Sequence, residues 1–190
     1  MVAAYPFASA SPELIVIEEV RIPLQETTIV DHSAPRRSGG RNAVLAIAVG
    51  GLVAGTLDLT QALILFGARI PLAIAAGLLG PQAFGGGAAT YVLGVLLHFL
   101  IALSAAALYF AASRKLRFLS EHPLVCGLFF GAAVELAMRL IVLPLSAFHA
   151  MGPYTYRDLV QGLLVHMVVI GLPISFSVQW FAKRENAGMH

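Results

Sequence analysis

Five ionisable side chains stand inside long apolar runs of this chain: Asp58, His98, Glu135, Arg139 and His166. A charge at the middle of a bilayer costs about 2.5 to 3.5 kcal/mol on insertion scales, so each of the five needs a compensating partner or a task. Glu135 and Arg139 are four residues apart, which sets them on one helical face in the acid-first order that favours a pair. Two roles fit them. Arg139 can snorkel outward along its stem while Glu135 neutralises it, or the pair can handle a substrate or a proton. Asp58 is followed by Thr60 and Gln61 and preceded by Thr56, which gives the second half of its run a polar face. It either completes a triad with Arg139 or is a buried neutral acid able to relay protons.

His98 and His166 lie on different runs at similar depth, the minimum donor set of a bis-His haem. Neither run carries other cofactor-specific chemistry, and intramembrane histidines commonly bond between helices. Haem is therefore the alternative reading, and no cofactor is the expectation. A zinc site lacks a compact ligand motif, and the single cysteine, Cys126, falls in the other half of its run, where it reads as a structural thiol. No nucleophile stands beside a base, no glycine loop leads to a phosphate-binding lysine, and HExxH is absent, so an enzyme is disfavoured.

The elements that must hold these groups are four apolar blocks of 25 residues, 43–67, 88–112, 123–147 and 158–182. At 1.5 Å per residue each reaches about 37 Å, enough to cross a hydrocarbon core of about 30 Å with some tilt. The expected fold is all-α: a polytopic membrane protein of four transmembrane helices. Measured from the span centres, Asp58 falls about 4 Å toward the outer side, His98 about 3 Å, Arg139 and His166 about 6 Å, and Glu135 near the centre. All five share one slab. Pro144 and Pro173 are expected to kink the third and fourth spans, and the small residues Gly50, Gly51, Ala54, Gly55, Gly127 and Gly131 to allow close helix approach. The GxxxG pairs Gly51/Gly55 and Gly127/Gly131 hint at duplicated hairpins.

Between the first two spans, 70–80 is apolar but too short to cross. Opened by Pro71 and followed by the Gly85-Gly86-Gly87 pivot, it is expected to form a short helix on the outer side, interfacial or re-entrant, with the interfacial placement preferred.

Composition agrees with a membrane chain: 58% of the 190 residues are hydrophobic and 12% charged, with a mean hydropathy of +0.83, far from the roughly 25% charged residues of soluble domains. The net charge of +2 is too small to argue for nucleic acid. Basic residues near the spans divide unequally, with Arg36, Arg37, Arg41, Arg114, Lys115, Arg117, Lys183 and Arg184 on one side and Arg69 and Arg157 on the other. That bias places both termini inside. Tyr91, Tyr109 and Trp180 read as interfacial aromatics.

Residues 1–42 form a cytoplasmic tail, disordered or partner-binding, with a β-like stretch over 13–24 and a flexible basic run from Pro35 to Arg41 suited to anionic lipid. Residues 183–190 form a cytoplasmic C-terminal tail. The small-residue run Phe7-Ala8-Ser9-Ala10 lacks a basic n-region and an adequate h-region, so no cleaved signal is expected.

The strings Gly51-Leu-Val-Ala-Gly55-Thr-Leu-Asp58, Gly77-Leu-Leu-Gly80, Gly85-Gly-Gly87, Ser113-Arg114 and Val142-Leu-Pro144-Leu-Ser146 together resemble a group of small four-span bacterial inner-membrane proteins with no assigned activity. The resemblance covers 43–182 and implies a bacterial inner membrane. It supplies no site residue, and an Asn is common in that group where Met138 and Arg139 stand here. The function expected is that of an accessory or transport-related subunit, self-associating or docking on a larger membrane complex, with the lipid bilayer as its certain partner and no identifiable small-molecule substrate.

Overall fold

The computed structural model describes residues 37–147, 149 and 155–187. The β-like stretch over 13–24 lies outside the described residues. Four helices are long and apolar enough to cross a membrane: Gly40–Phe66, Gly87–Lys115, Pro123–Leu145 and Tyr156–Arg184. The chain is a multi-pass, all-α membrane protein. At 1.5 Å per residue the spans run about 35 to 43 Å, so they tilt across a core of about 30 Å.

Local chemistry sets the boundaries. The first helix begins at Arg37, so Arg37 to Arg41 is its opening turn rather than a flexible run. Helix continues because the apolar period that starts at Ala43 recruits the residues just before it once a nucleus exists. Gly67, at φ 88°, ends that helix, and its N–H returns to the Leu63 carbonyl, a left-handed cap that a side chain would strain. Of the Gly85-Gly86-Gly87 pivot only Gly87 takes a positive φ, 68°. Pro123 opens the third span at a position where its missing N–H is not needed. Thr155 caps the fourth span in a reciprocal box with Asp158. At the other end that helix runs on through Lys183 and Arg184 to Ala187, so most of the expected C-terminal tail is helical.

The prolines alter their spans locally. Pro144 and Pro173 lack the N–H that would bond the carbonyl four residues back, and their rings push that carbonyl away. In each span the turn ahead of the proline widens to a π-helical one, Met138–Val142 and Met167–Gly171. Arg139 lies within the first of these turns, and His166 stands immediately before the second.

The spans are arranged in the spatial order second, first, fourth, third. Gly51 and Gly55 meet Leu103, Phe99 and Ala102 of the second span, Gly50 meets Ser177 and Ile174 of the fourth, and Gly131 lies against the backbone of His166 and Met167. Both GxxxG pairs are thus used inside the bundle, where dispersion between close backbones replaces the hydrophobic effect that lipid cannot supply. The second and third spans, at the ends of this order, meet through the Tyr109 and Phe130 rings. Toward the Arg41, Lys115 and Lys183 ends the interior is solid, built on Ala46, Ala106, Tyr109, Ile174 and Val178. Toward the Phe66 and Tyr156 ends it is hollow.

Tyr109 is not an interfacial aromatic. It is 1% exposed, stacks edge-on against Phe130, and donates its hydroxyl hydrogen to the Leu119 carbonyl. A phenol near a span end serves the interior equally well when a carbonyl is there to satisfy it. Trp180 is exposed beneath the Arg184 guanidinium, as an interfacial ring should be.

Candidate functional site

The short helix Ile70–Leu79 packs along the second span, where the Pro71 carbonyl occupies the space a side chain at Gly94 would need. Gly94 is seven residues into its span, so the start of the short helix lies about 10 Å below the end of that span. It runs beside the bundle rather than beyond it. The Gly77 carbonyl accepts the Ala147 N–H at 2.8 Å, tying this helix to the end of the third span.

Beneath it lies a cavity of about 650 Å³, within the range of small-molecule sites. Its walls come from all four spans and the short helix. Ile74 and Leu78 lie above, Leu97 and Ile101 on one side, and Met138 and Ile141 on the other. Asp58, His98 and His166 are its ionisable lining. Ile101 of the second span and Ile141 and Val142 of the third, all on the cavity wall, are solvent-accessible.

The five ionisable residues form two acid–histidine groups. In the first, His98 Nε2 lies 2.9 Å from the Gly55 carbonyl and 4.0 Å from the Asp58 carboxylate. A carbonyl only accepts, so Nε2 carries a hydrogen in either charge state. In the second, His166 Nδ1 lies 3.0 Å from the Gly162 carbonyl and 3.2 Å from Glu135 Oε2, which makes Nδ1 the donor there. Glu135, 4% exposed, also accepts from Arg139 Nε. The Arg139 guanidinium donates again from Nη2 to the Asp158 carbonyl at 2.9 Å, near the Tyr156 end of the fourth span.

The Asp58 carboxyl faces His166, His98 and Glu135 electrostatically. It does not complete a triad with Arg139, whose fork is turned toward Glu135 and the fourth span. Thr56 and Thr60 do not share its face either. A position two residues before or after Asp58 is turned about 200° from it on a 3.6-residue helix. Both threonines are exposed and donate to carbonyls four residues back in their own helix, Leu52 and Thr56. Cys126 lies at the opposite, packed end, with its thiol 3.7 Å from the Phe118 carbonyl.

Gly162 was not among the expected site residues. A Cβ there would collide with the Glu135 carboxylate and the Arg139 guanidinium, so the glycine makes the room in which the pair sits. Its signal in the sequence is its place four residues before His166, on the same helical face. The short helix as a cavity wall was also missed, because hydropathy reports its length but not what it covers. For a bis-His haem, His98 has only Nδ1 left to offer a metal, and no feature of the site favours that use. Comparison with protein-family models, with curated proteins and with solved structures finds no match to this chain.

Proposed function

We propose that this protein is a transport-related subunit of a bacterial inner membrane, with both termini in the cytoplasm, whose cavity admits a small and largely apolar guest from the lipid. The single observation that carries the reading is the cavity itself. Packing four apolar helices does not require such a hollow, and a cavity lined by Asp58, His98 and His166 is costly unless something occupies it. The asymmetry of basic residues supports the orientation, and the resemblance described above supports the compartment. Such a subunit acts alone or within a larger membrane assembly.

The test is photolabelling in native-like membranes with a neutral diazirine hydrocarbon, followed by peptide mapping. Label is expected on the cavity wall, at Leu97, Met138 and Ile141, and is expected to fall several-fold there in Ile141→Trp, which fills the space. Label confined to outward positions such as Leu96 and Phe129 would contradict the proposal.

A further inference from the structure

The charge balance of the cavity specifies the guest further, and this inference rests on the proposed guest-binding role. Asp58 from the first span, His98 from the second and His166 from the fourth line the cavity, and Glu135 and Arg139 of the third stand behind His166. The short helix Ile70–Leu79 contributes no titratable side chain. Glu135 has its fixed cation in Arg139 and a hydrogen-bond donor in His166 Nδ1. Among the described residues Asp58 has no fixed cation: its neighbours are His98 and His166, which are charged only when protonated. With both rings neutral and both acids ionised, the cavity carries one net negative charge, at a depth where an uncompensated charge is expensive. One positive charge must restore neutrality, either a proton on the Asp58–His98 pair or a cation brought by the guest.

We propose that the cavity binds a monovalent organic cation on an apolar body, an amine or quaternary ammonium, in exchange for one proton held by Asp58 and His98. The apolar walls, Ile74, Leu97, Ile101 and Ile141, take the body, and Asp58 faces the charge. The stoichiometry is one cation bound and one proton released to water, with no covalent step. Proton and cation compete for the same negative charge, so the coupling between them is reciprocal.

The experiment uses the full-length protein in lipid nanodiscs, with benzyltrimethylammonium as the cation and neopentylbenzene, its neutral isostere, as the control. In weak buffer with a pH-indicating dye, the cation is expected to release close to one proton per protein and neopentylbenzene none. The apparent Kd of the cation should weaken about tenfold per pH unit on the acid side, where the pair is protonated. Asp58→Asn should abolish the proton release. Wild-type protein carries the test by itself if that variant does not fold. Cation binding with no proton release, or an affinity independent of pH, overturns the exchange. If both compounds protect the cavity from the photolabel equally, the guest-binding role survives and the cation specificity is refuted. If neither protects it, both fall.

Discussion

Replacing Arg139 by Met removes the only fixed cation from a carboxylate that is 4% exposed. Breaking a buried ion pair from one side costs about 3 to 5 kcal/mol, because the other charge is left behind. His166 Nδ1 stays 3.2 Å from Glu135 and softens the loss, which puts the expected cost near the bottom of that range, about 3 kcal/mol. For a chain of this size that corresponds to a fall in Tm of about 6 to 12 °C. Glu135→Gln should cost less, about 1 to 2 kcal/mol, since Arg139 retains the Asp158 carbonyl near the Tyr156 end of the fourth span. The double variant leaves no unpaired charge and should cost at least about 1.5 kcal/mol less than the sum of the singles. Thermal melts in detergent can be followed through a fluorogenic dye on Cys126, which is half-buried in the packed end. An Arg139→Met protein within about 0.5 kcal/mol of wild type, with an additive double variant, would refute a buried network and leave Arg139 as a snorkelling side chain.

Gly162→Ala drives a methyl into the Glu135–Arg139 pair and should cost about 1 to 3 kcal/mol in the same melts, whereas Gly77→Ala, which meets only Ser146 at 3.7 Å, should stay within about 0.5 kcal/mol. Tyr109→Phe leaves the Leu119 carbonyl without its hydroxyl partner and should destabilise by about 1 to 3 kcal/mol, seen as a lower Tm. Reporter fusions after Glu121, near Met151 and at the C-terminus should read inside, outside, inside, and an external signal at Glu121 would reverse the orientation.

The four spans were legible because a 25-residue apolar block has no other stable solution in lipid. The helix at Arg37–Arg41 was not, since glycine and arginine propensities there point away from helix and only the attached apolar run overrides them. Depth counting brought Asp58, His98, Glu135, Arg139 and His166 to one level, and every contact among them is between residues at that level. What counting along single helices left open is which residue faces which. The spatial order of the spans puts Arg139 against the fourth span and Asp58 against the second, so the two acids find different partners. Tyr109 misled for a related reason: hydropathy assigns it a depth, but the Leu119 carbonyl that satisfies it belongs to the short helix Phe118–Glu121, ten residues on. The cavity was invisible because it depends on how all four spans and the short helix pack together, which no single helix reports.

The most direct measurement of the central claim is proton flux in proteoliposomes loaded with a pH-sensitive dye. An inward gradient of benzyltrimethylammonium should alkalinise the lumen of vesicles carrying the wild-type protein, at a rate lost in Asp58→Asn and in the cavity-filling Ile141→Trp. A lumen pH that stays constant in wild-type vesicles, with the cation shown to occupy the cavity, would mean that the site binds without transporting and would contradict the transport role.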